Sequence, residues 1–182
     1  DGAQRWIVNC VPVNEYFRDL TYQGSEWETL PNVASFTLLA LDDDGELHFD
    51  GGDDGCYFYT WRLPASLWKY FVFAKPVSGR HLDLYPDKTF YLQMKAPPMG
   101  WLHAVHLAQA ASRNISLDFA NLPTDAEVHP QRPNPRGPAA FSNYIDDCKM
   151  ARRAPRGQEP SDQVAPLHAT QRAAQDQVGV QR

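Results

Sequence analysis

Two adjacent carboxylates follow a short run of strand-forming residues. Residues 141–145 contain aromatic and β-branched side chains, which favour a β-strand, and Asp146 and Asp147 come at the end of that run. Adjacent carboxylates repel each other unless a cation or a hydrogen-bond donor faces them, although a solvated turn is the alternative for the pair alone. A third acid, Asp53, follows another predicted strand at 47–49 and could lie on a neighbouring strand. Such an oxygen-rich site suits Mg²⁺, and two such ions support phosphoryl transfer.

The composition of the 182-residue chain is that of a folded domain whose two parts differ in charge. Hydrophobic residues make up 43% and aromatic residues 12%, which suffices for a core. The formal net charge is −5. Residues 1–60 contain twelve acidic and two basic residues, whereas residues 61–182 contain ten acidic and fifteen basic residues. Because phosphate contacts drive affinity for nucleic acids, the second part is the better candidate to face a polyanion.

Several sequence features bear on the compartment. No apolar run reaches the roughly 18 residues of a membrane span, so no membrane partner is expected. The three cysteines are odd in number and widely separated, which argues against a disulfide scaffold and a zinc site and favours a reducing, intracellular compartment. The chain starts without Met and without a signal-peptide pattern, which suggests a fragment.

Strand-like and helix-like segments alternate, which predicts an α+β fold with helices on one face of a sheet. Residues 148–182 differ: they lack aromatic residues, are rich in Gln, Ala, Arg and Pro, and are predicted to be a disordered or weakly helical tail. Strands are predicted at 5–14, 47–49, 56–61, 70–75, 88–96 and 139–145, and helices within 28–41, from Pro64 and at 101–114.

Four segments, in this order, resemble reverse transcriptases of the retrotransposon type. They are "RWIVNCVPVN", "DDGCYFY", "APPMGWLHAVHLAQ" and "YIDD", and the resemblance covers residues 5–147. It implies that residues 1–147 are a partial fingers and palm, in which the palm is an antiparallel sheet with helices packed on one face. Residues 148–182 show no counterpart of the family's thumb, nor of a ribonuclease H or integrase.

The resemblance also implies roles for residues around the nucleotide. Arg5 would contact the incoming triphosphate, with Asn14 nine residues further on, since an Arg can pair with phosphate oxygens bidentately. Gly100 would allow close backbone approach to the nucleotide, and Gln109, nine residues later, would hydrogen-bond near the template base or sugar. Each of these residues also has an ordinary interpretation, as a surface charge, a loop glycine or a solvent-facing amide.

The first palm motif allows two registers. Asp53 would be a metal ligand, and Phe58, five residues later, would leave no room for a 2′-hydroxyl and so select deoxynucleotides. If Asp54 is the ligand instead, the same step leads to Tyr59. Phe58 could also be a plain core aromatic.

The resemblance implies an RNA-directed DNA polymerase. Asp53 and Asp146, assisted by Asp147, would hold two Mg²⁺ ions, with Mn²⁺ as a possible substitute, and the substrates would be a dNTP and an RNA or DNA template with a primer. One alternative is a catalytically inactive retroelement remnant that at most binds nucleic acid or a protein. Another is a metal-binding α+β domain unrelated to polymerases, in which Asp53 and Asp146 do not converge.

Overall fold

The computed structural model of the protein describes residues 8–18, 30–31, 33–39, 44–53 and 56–160. The chain divides into two compact units, each discontinuous in sequence. The first unit comprises Asp1–Thr21 and Tyr57–Ala104, and the second comprises Tyr22–Cys56 and Val105–Arg182. Helices and small antiparallel sheets make up the described part, which confirms the α+β class.

The regular elements are short except along the sheet of the second unit. The helices are α1 (Val11–Phe17), α2 (Tyr57–Thr60), α3 (Ala65–Trp68) and α4 (Ala104–Asn114). The strands are β1 (Gly45–Asp53), β2 (Val77–Ser78), β3 (Thr89–Phe90), β4 (Ala139–Tyr144) and β5 (Asp147–Pro155). Short 3-10 segments cover Val33–Leu38, Gly79–Leu82 and Thr124–Ala126, and a π-helical turn, Ile115–Phe119, extends α4.

Two predicted strands of the first unit are wrong. Within the predicted strand 5–14, α1 begins at Val11, because Pro12 has a φ suited to the first helical turn and needs no donor there. Residues 56–61, predicted to be β-prone, contain α2 instead. The ring of Tyr57 is buried and meets Trp61 edge-on with ring centroids 5.3 Å apart, so packing outweighs the strand propensity of this aromatic run.

The predicted strands 70–75 and 88–96 pair with each other, but most of the pairing is irregular. Phe73 N donates to Leu92 O at 2.9 Å, and Met94 N donates to Phe71 O at 2.9 Å. The regular ladder is limited to β2 and β3. Pro76 has no N–H to contribute to a ladder, which accounts for the interruption just before β2.

The second unit is organised around a three-stranded antiparallel sheet in the order β1-β5-β4. Its central strand is β5. Residues 148–155, predicted to be disordered or weakly helical, therefore form a strand, and the domain boundary predicted after residue 147 falls inside the sheet. Small and unbranched side chains fill its buried positions, so it lacks the aromatic signal of a strand. They are Cys148, Met150, Ala151 and Ala154. The rest of the predicted tail, 161–182, lies outside the described residues.

Both faces of this sheet are packed. Ala140 and Ala151, opposite each other on β4 and β5, contact Phe36 and Leu39 on one face. Phe141 and Met150, the next pair along, point to the other face and are also buried. The sheet therefore lies inside the second unit, and its side chains are fixed by packing.

A buried ion pair ties α4 to the segment before β4. Arg113 donates two hydrogen bonds to Glu127, from Nε to Oε1 at 2.6 Å and from Nη2 to Oε2 at 3.0 Å. Arg132 Nη1 also donates to Glu127 Oε2, at 3.0 Å. The Glu127 side chain is only 5% exposed, so the cost of burying its carboxylate is offset by these two guanidinium groups. Val128 N then donates to Phe141 O at 2.7 Å, which attaches the segment to the sheet.

We expect Glu127→Gln to lower the free energy of unfolding by about 3 kcal/mol, because it removes the charge that offsets two arginines at a buried position. Urea unfolding followed by circular dichroism would measure this loss. The exposed Asp125→Asn, two residues away, is the matched control and should change the free energy of unfolding by less than about 0.5 kcal/mol. Equal effects of the two variants would show that the ion pair is not a main support of the second unit.

Candidate metal and nucleotide site

The two predicted strand-end carboxylates lie at a tight hairpin turn. Tyr144 on β4 pairs with Asp147 on β5, so Ile145 and Asp146 form the connection. Ile145 has a φ of 55°, in the left-handed region, which a β-branched residue rarely adopts. Strained backbone of this kind persists only where surrounding contacts hold it.

Gln109 supplies those contacts from α4. Its Nε2 donates to Asn143 O at 2.8 Å, and the Ile145 N–H donates to its Oε1 at 2.7 Å. Ser116 Oγ adds a bond to Asn143 Oδ1 at 3.0 Å. The resemblance implied that Gln109 binds near the template base or sugar. In the structure the residue is only 2% exposed, and both its amide nitrogen and its amide oxygen form hydrogen bonds with the turn. The structure therefore places Gln109 as a support of the turn.

The sheet register brings the predicted metal-binding positions to one end of the sheet. Asp53, the last residue of β1, is directly opposite Asp147, the first residue of β5. Opposite residues of an antiparallel pair have Cα atoms roughly 5 Å apart, and Asp146 adjoins Asp147 in the turn. For Asp53 the structure describes only the backbone, and Asp54 lies outside the described residues. The choice between Asp53 and Asp54 as the predicted metal ligand therefore stays open.

A lysine of β5 already faces this acidic end. Lys149 Nζ lies 2.9 Å from Asp147 Oδ1, and the two side chains are 41% and 38% exposed. The lysine stem runs over Gly51, where an added Cβ would come within 2.8 Å of Lys149 Cδ. Gly51 thus makes room for the ion pair, which at this exposure contributes little to stability and can exchange for another partner.

The described side chains do not include those of Asp53 and Asp54. Among the described ones, no three His, Cys, Asp or Glu residues are close enough together to hold a metal ion. The backbone register nevertheless brings the Asp53 and Asp147 positions to one end of the sheet, next to the turn that contains Asp146. Binding of a divalent cation at this end of the sheet stays a prediction.

In the first unit, Asn14 and Gly100 form one local structure. Asn14 Nδ2 donates to Gly100 O at 2.9 Å, and Leu102 N donates to Asn14 Oδ1 at 2.8 Å. Gly100 has a φ of 100°, which favours glycine. Cys10 lies beside it, and burial raises the pKa of its thiol, so Cys10 is a neutral packing group. Arg5 lies outside the described residues.

Phe58 lies on α2 and packs, half-buried, against the hydrophobic core of the first unit. The buried members of that core include Leu63, Phe71 and Trp101. This is the position of a core aromatic, and its role in excluding a 2′-hydroxyl stays a prediction. Tyr59, the alternative in the second register, is exposed.

Three residues that support the site were missed in the sequence. Asn143 and Ser116 are polar residues buried beside the turn, and Lys149 is the base that pairs with the acids. The signal for Asn143 was a polar residue inside an otherwise strand-like run, three residues before the first of the two acids. Ser116 reaches the turn from a distant part of the chain, so no local pattern marks it.

No protein-family model matches the chain, and no curated protein is significantly similar to it. In the part of the chain that the structure describes, no helix is both long and apolar enough to cross a bilayer. A functional interpretation therefore rests on the turn, its supports and the strand opposite it.

We expect Gln109→Leu to release the turn. Leucine fills a similar volume but removes the partner of the buried Asn143 carbonyl and of the half-buried Ile145 N–H, so the free energy of unfolding should fall by about 2–3 kcal/mol. Hydrogen exchange should show the Ile145 amide losing protection while the amides between β1 and β5 keep theirs. Gln93→Leu, at an exposed position, is the control, and unchanged protection of Ile145 in Gln109→Leu would contradict the support role.

Proposed function

We propose that the chain is part of an RNA-directed DNA polymerase of the reverse transcriptase type, in which the second unit contains the palm. The observation that supports this most is the backbone register, with Asp53 opposite Asp147 beside the turn that carries Asp146. The acids come from sequence segments about ninety residues apart, as the resemblance requires, and they reach the same end of one sheet. In a metal-binding domain unrelated to polymerases, Asp53 and Asp146 would not be expected to converge.

The proposed chemistry is nucleotidyl transfer from a dNTP to a primer 3′-hydroxyl, directed by an RNA or DNA template. Asp53 and Asp146 would hold the divalent cations, with Asp147 assisting. When bound there, Mg²⁺, or Mn²⁺ in its place, would neutralise charge on the triphosphate and activate the primer hydroxyl.

The chain's own residues would mainly position the reactants. Arg5 would pair with triphosphate oxygens, and Phe58 would exclude a 2′-hydroxyl. The Gly100 loop, fixed by Asn14, would let the backbone approach the nucleotide. Gln109 would keep the turn in the one conformation that presents Asp146, so that positioning is complete before the substrate binds.

A catalytically inactive remnant is the second candidate, and one observation favours it. Lys149 already lies beside Asp147 as a counter-charge. In a protein that binds no metal, this ion pair would be enough to offset the charge of Asp147. Such a remnant would at most bind nucleic acid or a protein.

Primer extension on an RNA template with an annealed DNA primer, dNTPs and Mg²⁺ tests the proposal. We expect extension by the wild type and a loss of at least about 100-fold in Asp146→Asn, since charge stabilisation at a metal site is worth several kcal/mol. Asp125→Asn removes the same charge at an exposed position and should retain extension.

The outcomes separate the two candidates. Extension that disappears only in Asp146→Asn supports the polymerase. No extension by the wild type favours the remnant for this chain. Equal extension by the wild type and Asp146→Asn would remove the catalytic role of the YIDD turn.

A further inference from the structure

The two edges of the three-stranded sheet differ in how their backbone groups are satisfied. β4 lies at one edge, and other parts of the second unit cover it: Val128 N donates to Phe141 O at 2.7 Å, and Gln109 Nε2 donates to Asn143 O at 2.8 Å. β1 lies at the other edge, and no further strand of the described chain pairs with its outer side. A nine-residue strand with an open edge is a template for pairing with another strand.

The hydrogen-bond pattern shows which groups of β1 face outward. Arg153 N donates to Pro138 O at 2.8 Å, so the odd-numbered residues of β5 bond towards β4. Because bonds alternate between the two sides of an antiparallel strand, the even-numbered residues of β5 bond towards β1, as the 2.6 Å bond from Arg156 N to Asp44 O confirms. The register pairs even residues with even ones, so the odd residues of β1 direct their N–H and C=O groups outward. Away from the strand ends, these are Leu47, Phe49 and Gly51.

Little covers these outward groups in the described part of the chain. There, Leu47 and Phe49 have no hydrogen-bond partner at this edge, and Gly51 N donates to the carboxylate of its neighbour Asp50 at 2.8 Å. The Phe49 side chain is 60% exposed. Every residue of β1 whose burial is described is half-buried or exposed, whereas five of the six residues of β4 are buried. The outer side of β1 is therefore open to another strand.

We infer that β1 is a homodimer interface, at which β1 of a second copy of this chain pairs with it in antiparallel orientation. A two-fold axis at Phe49 would join the two sheets into one sheet of six strands. Because the β4 edge is covered, each sheet has one open edge, so the assembly closes as a dimer and does not grow into a fibre. The dimer does not depend on polymerase activity and goes beyond the function proposed above.

The charges of β1 favour this register. With Phe49 opposite Phe49 of the second copy, all nine residues pair, and His48 lies opposite Asp50 at two symmetric places. An imidazole can donate a hydrogen bond to a carboxylate, so both of these cross-strand pairs are attractive. Glu46 lies opposite Gly52, so no two acidic residues of β1 face each other.

The neighbouring registers are less favourable. Hydrogen bonds form only when outward-facing residues of one copy pair with those of the other, so the nearest alternatives place the axis at His48 or at Asp50. An axis at His48 puts Glu46 opposite Asp50 twice, and an axis at Asp50 puts that aspartate opposite itself. Like charges directly opposite each other destabilise a strand pair. The sequence of β1 therefore favours the axis at Phe49.

The exposed ring of Phe49 would also gain from the pairing. It meets Phe36 edge-on, with ring centroids 5.9 Å apart, beside an apolar hollow of about 460 Å³ that Leu39 and Leu47 also line. Opposite residues that exchange hydrogen bonds have Cα atoms roughly 5.5 Å apart, so the two Phe49 rings would contact each other across the axis. Burial of two exposed aromatic rings would add to the hydrogen bonds of the edge.

Sedimentation velocity of the full chain at several protein concentrations tests the dimer. We expect a species of twice the 20.6 kDa chain mass that dissociates on dilution. Phe49→Pro and Phe49→Val both lack the ring, but only proline lacks the outward N–H, which the monomer does not use. The dissociation constant of Phe49→Pro should therefore exceed that of Phe49→Val by at least about tenfold, because two hydrogen bonds across the axis are lost. Circular dichroism would show that both variants keep the fold.

Disulfide cross-linking tests the axis without a proline in the strand. In a Cys56→Ser background, which removes the exposed cysteine, Phe49→Cys should cross-link on mild oxidation, because opposite Cα atoms lie within the disulfide range of roughly 4.4–6.8 Å. Leu47→Cys is the matched control, since it keeps His48 and Asp50. Its counterpart in the second copy lies four positions along the strand, beyond disulfide reach, so it should cross-link at least about tenfold more slowly.

Four outcomes would overturn the inference. One is a chain that sediments as a monomer up to roughly 100 μM, where even a weak specific interface is populated. Equal dissociation constants of Phe49→Pro and Phe49→Val would place the interface elsewhere, and equal cross-linking of Phe49→Cys and Leu47→Cys would exclude the axis at Phe49. Oligomers larger than a dimer would contradict a single open edge. None of these results bears on primer extension, so the dimer and the proposed function can fail separately.

Discussion

The hydrogen bonds from the side-chain amide of Gln109 to the turn are the constraint on which the candidate site depends. They hold Ile145 in a left-handed conformation that its β-branched side chain disfavours, and so fix a two-residue connection between β4 and β5. A shift of one residue in that connection would move every side chain of β5 to the opposite face of the sheet. The position of Asp147 opposite Asp53 therefore depends on a buried amide from another part of the chain.

The same strand explains why the acidic end is specified so tightly. β5 pairs along its whole length with β1 and along six residues with β4, so its register is determined twice. The small Ala151 lets Phe36 and Leu39 approach one face, and the larger Phe141 and Met150 are buried on the other. The ion pair between Arg113 and Glu127 ties α4 to the segment before β4, and α4 is the helix that carries Gln109.

The sequence was informative where a local pattern determines the structure. The helix at 101–114 and the strand at 139–145 were predicted because their periodicity and propensity agree with their packing, and α4 and β4 confirm them. β5 was missed because its buried positions are mostly small residues, which carry no strand signal. α1 and α2 were missed because Pro12 and the burial of Tyr57 override strand propensity. Among the candidate site residues, the adjacent acids could be recognised from the sequence. The support that Gln109 gives to the turn could not, because it depends on a hydrogen bond between residues 36 positions apart.

The ion pair between Lys149 and Asp147 places a counter-charge beside one of the two adjacent acids. Lys149 neutralises Asp147 from within the same strand, and both side chains remain open to solvent, so little free energy is needed to separate them. Asp146 precedes this pair, in the turn that Gln109 holds. The repulsion that two adjacent carboxylates would impose on the turn is thereby reduced.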